Sequence, residues 1–180
     1  ASGYVTYEQG VGSKTIASHQ AFWVKVPTDA SASVTFDEVD KAIESDPFLK
    51  VVTPSSIKLT LTGNGFTDET EIRFKQGATE DYDWQFDAYK LLSFNYLTPN
   101  LSSISADTTD LSINSLPELT QDIDIPIRIT WSWPSYNFGN TATYTITVND
   151  LSNFPLSTCI ILEDLLTSTS VNLRIDSSYT

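Results

Sequence analysis

The sequence predicts an all-β fold: an antiparallel β-sandwich of jelly-roll or immunoglobulin-like type, with about ten short strands and one or two short helical turns. Three observations predict it. Apolar and polar residues alternate in short runs, the period-two mark of a half-buried strand. The composition is rich in Thr, Ser, Ile and Val and has no Met, a β-favouring profile. Turn-forming residues such as Gly63-Asn-Gly65 separate the runs.

The organising stretch is residues 122–150. Ile125, Ile127, Ile129, Trp131 and Trp133 alternate with Pro126, Arg128, Thr130 and Ser132, and Ala142, Tyr144, Ile146 and Val148 alternate with threonines and Asn149. Pro134-Ser-Tyr-Asn-Phe-Gly-Asn140 joins them, so the stretch reads as a hairpin with one broad apolar face. A face that wide requires a second sheet over it.

The other elements follow in order. Tyr4-Val-Thr-Tyr-Glu8 reads as a strand, as does residues 15–26, where Ile16, Phe22, Val24 and Val26 are apolar. Residues 33–36 read as a short strand and 37–43 as one helical turn or more, with Val39 and Ile43 on one side. Residues 48–52 fit either state. Ile57-Lys-Leu-Thr-Leu61 alternates cleanly and Glu71-Ile-Arg-Phe74 returns, a hairpin with a loop longer than the minimal type. Residues 101–104, 110–113, 159–162 and 171–175 supply the remaining strands, with Thr167-Ser-Thr-Ser170 as a turn. No repeat and no linker divides the chain, so residues 1–180 read as a single module able to bury a core.

Charge narrows the function classes. Ten Lys and Arg against 23 Asp and Glu give a formal net charge of −13. Such a field repels phosphate backbones and anionic lipid, which argues against nucleic acid and membrane surfaces as partners. No apolar run reaches the ~20 residues of a membrane span, and no signal peptide is visible. The opening Ala1-Ser-Gly-Tyr4 reads as the middle of a longer chain. Cys159 is the only cysteine and sits in Cys159-Ile-Ile-Leu162, which reads as a buried structural thiol.

Catalytic and cofactor motifs are scarce. His19 is the only histidine, with no nucleophile motif beside it and no Gly-x-Ser-x-Gly in the chain. One His and one Cys are too few for a zinc site, and no phosphate-cradling glycine loop occurs. The acids allow many carboxylate pairs for glycoside hydrolysis, but nothing places two of them across a cleft. The expectation is a protein that is not an enzyme.

Two groups of residues remain as binding candidates. Asp81, Asp83 and Asp87 in Glu80-Asp-Tyr-Asp-Trp-Gln-Phe-Asp87 are the densest acidic group. Loop carboxylates spaced by two can supply part of a calcium shell of six to eight oxygens, although the EF-hand pattern is absent. The competing reading is that these acids cap a short helical turn and pair with Arg73 or Lys90. Trp84, Tyr136 and Phe138 are the aromatics best placed on loops to meet a sugar face. Trp131 and Trp133 share the hairpin's apolar face and read as core.

Five stretches in one order carry a resemblance. Thr15-Ile-Ala-Ser-His-Gln-Ala-Phe-Trp-Val-Lys25 comes first. Asp68-Glu-Thr-Glu-Ile-Arg-Phe74, with Gly77-Ala-Thr79, Asp83, Asp87-Ala88 and Lys90, follows. Leu111-Ser-Ile-Asn-Ser-Leu-Pro117, Tyr144-Thr-Ile146 and Leu162-Glu-Asp-Leu165 complete it. Together they resemble a β-rich module found just before the C-terminal sorting domain of Bacteroidetes type IX secretion substrates. The resemblance spans roughly residues 4–179 and lacks the "NPYPS"-like lead-in and the sorting domain. It implies a secreted or outer-surface location and no transferable catalytic residues. Charge, motifs and resemblance together predict a non-catalytic structural or adhesive module, partnered by neighbouring domains of its parent protein. The alternative is a carbohydrate-binding module using the loop aromatics and acids, with an extracellular glycan or surface protein as partner. Calcium is the one cofactor left open.

Overall fold

The structure is a computed structural model that describes residues 55–95, 97–131, 143–149, 151 and 153–180, together with positions 16, 24, 33 and 35–41. The chain divides into two compact units, one of Ala1–Gly3 and Tyr7–Val52, the other of Tyr4–Thr6 and Thr53–Thr180. In the first, Glu38–Asp40 forms a single 3-10 turn, closed by a Lys41–Glu38 ion pair. The expected helical turn is there, but Val39 is exposed on it. Ser33, Thr35 and Phe36 lie outside any strand, and so do Ile16 and Val24. The other residues of the two strands expected before Val26 lie outside the described residues.

The second unit is nearly all β. Its strands are β1 (Ser55–Gly63), β2 (Phe66–Phe74), β3 (Ala88–Tyr89), β4 (Pro99–Ile104), β5 (Asp110–Leu116), β6 (Ile127–Trp131), β7 (Thr145–Asn149), β8 (Ile161–Asp164), β9 (Thr169–Asn172) and β10 (Ser178–Tyr179). A mixed eight-stranded sheet runs β10-β7-β1-β2-β5-β4-β6, with β3 on β5, and β8-β9 form a small second sheet. Among the described strands, every pairing is antiparallel except β2 with β5.

Sequence explains the best-formed part. In β1, Ile57, Leu59 and Leu61 face the core while the residues between them do not. Asn64 and Gly65 then turn the chain with φ of 54° and 79°, and Gly63 pairs with Phe66. Positive φ at both central positions is the two-residue hairpin turn that Asn-Gly favours. The loop is therefore minimal, not longer as the spacing of the apolar runs suggested.

The long hairpin at residues 122–150 is corrected. Both strands exist, but β6 and β7 do not pair. Four strands lie between them in the ladder. They meet through side chains instead: the rings of Trp131 and Tyr144 stand 6.0 Å apart, edge to face. The sheet has folded over on itself without closing into a barrel, and this fold-over makes the two layers. Inside it, Ile57, Leu59, Leu61, Ile72, Phe74, Leu101, Leu116 and Val148 form the buried core. Ile125, Ile127 and Ile129 pack against it, as their alternation predicts, and so does Ile123. Phe154, Ile160 and Leu173, flanking the small sheet, belong to the same core, and Phe154 meets Phe74 edge to face at 5.7 Å.

Where β2 outruns its short parallel ladder with β5, side chains replace the backbone. The N–H of Leu101 donates to Asp68 Oδ2 at 2.6 Å and that of Ser103 to Thr70 Oγ1 at 3.2 Å. Two donors of β4 are thereby satisfied where no strand offers a carbonyl, as buried backbone requires.

Candidate functional site

The acidic loop between β2 and β3 is the place where the sequence gathered its chemistry. The loop leaves β2 through Lys75, whose N–H donates to the Leu116 carbonyl, and turns at Gly77, whose φ of 85° suits a residue without Cβ. Asp83 opens a short turn. Its Oδ1 accepts the N–H of Gln85 at 2.9 Å, and its carbonyl accepts the N–H groups of Phe86 and Asp87. That is a side-chain cap of the kind the residue type favours.

Asp87 holds the turn to the sheet. Its Oδ2 accepts the N–H of Asp83 at 2.7 Å, and its Oδ1 accepts the N–H of Ser115 on β5 at 2.6 Å. Ser115 Oγ donates back to the Phe86 carbonyl at 2.8 Å. Asp87 is 2% exposed and Ser115 1%. Burial pushes the Asp87 carboxyl above its ordinary range. The two N–H bonds pull it down but do not cancel the burial.

Lys90 closes the loop on its other side. Its side chain is 4% exposed, and Nζ lies 2.6 Å from Asp68 Oδ2 and 3.0 Å from the Glu69 carbonyl. Asp68 thus bonds both Lys90 and the N–H of Leu101, joining loop, β2 and β4. The sequence expectation that the loop acids pair with Arg73 or Lys90 is corrected: Arg73 pairs with Glu71, two residues away on its own strand, and Lys90 with Asp68. Rings pack along the same loop, Tyr82 on Tyr89 at 4.3 Å and Lys75 Nζ 3.9 Å over Phe86.

The candidates therefore fare differently. Asp81 is exposed, Asp83 half-buried and Asp87 buried. Among the described residues, no group of three or more His, Cys, Asp and Glu is arranged to hold a metal ion. Trp84 is half-buried, beside exposed Gln85. Tyr136 and Phe138 lie outside the described residues, as do Trp133 and His19. Cys159 is exposed, not buried.

Sequence reasoning missed Asp68, Ser115 and Tyr179. Tyr179 on β10 donates to Asp164 Oδ2 at 2.6 Å, tying the last strand to the β8–β9 hairpin. That bond, with those from Thr167 and Leu166, holds the Asp164 carboxyl down at about 2. The only signal for these partners lies in three dimensions, because each joins segments far apart in the chain or on separate sheets. No family model matches the chain, and neither does any curated protein or solved structure.

Proposed function

We propose that this chain is a non-catalytic β-sandwich module of a longer secreted or cell-surface protein, where it spaces and presents the domains beside it. One observation carries the reading. The stretch richest in candidate reactive groups is bonded inward: Asp87 to Asp83 and Ser115, Lys90 to Asp68 and Glu69. Carboxylates that accept backbone N–H groups stiffen a loop and leave it little to offer a substrate. The acidic surface, at −13, supports a soluble carrier that repels polyanions.

A carbohydrate-binding module is the second reading. The half-buried indole of Trp84, beside exposed Gln85 and in one loop with exposed Asp81, is what favours it. A glycan array probed with and without EDTA separates the two, alongside acrylamide quenching of tryptophan fluorescence. The carrier reading expects no glycan signal and the same unfolding midpoint in EDTA and in calcium. Glycan binding lost in Trp84→Ala would replace it with the lectin reading.

A further inference from the structure

Among the described residues, Lys41, Lys58, Arg73, Lys90 and Arg128 each sit against a carboxylate. Lys75 lies over a ring. Arg174, just after β9, does neither. Its Nε donates to the Thr158 carbonyl at 2.6 Å and its Nη2 to the Pro155 carbonyl at 2.7 Å. Two bonds to carbonyls fix the plane of the guanidinium without neutralising it. They leave Nη1 with no partner among the described residues. A guanidinium stays charged at any physiological pH and is suited to bind a carboxylate through its remaining N–H groups. In a chain with 23 acids, a held cation with no described carboxylate within ion-pairing distance is a place for one brought from outside.

The surroundings say what that acid comes with. Arg174 and Ser177 line an open groove of about 390 Å³. Polar and apolar groups both line it: the buried side chains of Val148, Phe154 and Leu173 lie alongside Arg174 and Ser177, and Leu156 is 93% exposed. A small molecule in a built pocket has most of its surface covered. Here one side stays open, which suits a segment that remains part of a larger body. We propose that this groove docks a protein segment that presents an aliphatic side chain beside a carboxylate. The aliphatic group lies on Leu156 and the buried apolar side chains, and the carboxylate accepts from Arg174 Nη1. This goes beyond the carrier reading and stands apart from it, because neither glycans nor calcium enter its test.

The experiment is a ¹⁵N NMR titration of the whole chain with acetyl-Asp-Leu-Leu-amide, set against acetyl-Asn-Leu-Leu-amide. The expected result is progressive shifts at Leu156, Leu173, Arg174 and Ser177, with the Asn peptide a few-fold weaker, the factor an ion pair at an open site supplies. Arg174→Gln should abolish the difference between the two peptides. Because Arg174 also holds two carbonyls, a second variant is needed. Leu156→Ser changes a side chain in solvent and should weaken the Asp peptide several-fold with the spectrum otherwise intact. Equal binding of both peptides, shifts confined to other surfaces, no shifts at all, or a Leu156→Ser protein that binds like the wild type would each overturn the proposal.

Discussion

Replacing Asp87 by alanine tests whether the acidic loop is held by its own carboxylate. The substitution strips the acceptor from two N–H groups, those of Asp83 and Ser115. The site is closed to water, since Asp87 and Ser115 are 2% and 1% exposed. A hydrogen bond to a charged acceptor is worth roughly 1.5–3 kcal/mol, and a buried donor left unmet costs about 1–3. Two such losses would give several kcal/mol. Against this stands the relief from burying a carboxylate, the same burial that raises its pKa. The net expectation is a loss of about 3 kcal/mol, or roughly 6–12 °C in Tm for a chain of this size. Asp87→Asn keeps a carbonyl for one N–H and turns an NH2 toward the other, so about half that loss is expected. Urea unfolding, with an unchanged m-value, is the assay. The sign with pH follows from the raised pKa. The carboxyl's contribution is complete below its ordinary 3.8 and declines as pH rises through the folded value. The gap between wild type and Ala should therefore narrow from acid to neutral pH. An Ala variant within about 0.5 kcal/mol of wild type, below the cost of even one unmet donor, would refute the reasoning. So would calcium stabilising the wild type but not the variant, which would make Asp87 a cation ligand.

Four further outcomes are expected. Lys90→Met leaves Asp68 without its cation and should cost about 2–3 kcal/mol in urea unfolding. Adding Asp68→Asn should cost less than the sum, because the pair is one unit. In Gly63→Ala the new Cβ would overlap Tyr144 Cδ1 and stand 2.8 Å from the Thr143 carbonyl, so backbone must move. We expect a loss of about 1–3 kcal/mol by thermal unfolding. Gly65→Ala meets no atom, but its φ of 79° should still cost about 1–2 kcal/mol. Tyr179→Phe removes the strongest bond on Asp164, whose pKa should rise from about 2 toward 3.8 in a carboxyl NMR titration. A depressed carboxyl gives stability above its unfolded pKa and loses it as pH falls through the folded one. The acid limb of unfolding should therefore shift to higher pH in the variant.

What the sequence made legible is which side of each strand is buried. Ile57, Leu59 and Leu61 point inward because a period of two leaves one face for the core. Ile123 to Ile129 follow the same beat, and Asn64-Gly65 declares its turn by the φ it needs. Alternation does not say which strand lies next door. Residues 122–150 carry two good strands in succession, yet their neighbours are β4 and β1, and β2 runs parallel to β5. Around Cys159 the signal fails for another reason: four apolar residues in a row hide the period. Ile160 and Leu162 turn toward the core, while Cys159 and Ile161 are exposed. At the candidate site the acids were visible as a cluster. Their partner Ser115 was not, because it lies 28 residues downstream of Asp87 on a strand paired with β3.

The fold-over has a kinetic consequence. The β1–β2 hairpin can zip from its own turn, but the ladder cannot bring β6 over β7 until the strands between them are in place. Trp131 and Tyr144 lie near each other in the chain, but β7 reaches its partner β1 only across the long stretch that holds the intervening strands. High contact order of this kind slows refolding to milliseconds or seconds, and the interval leaves the isoleucine side of β6 bare. Crowded nascent chains would be most at risk of sticking together during that interval.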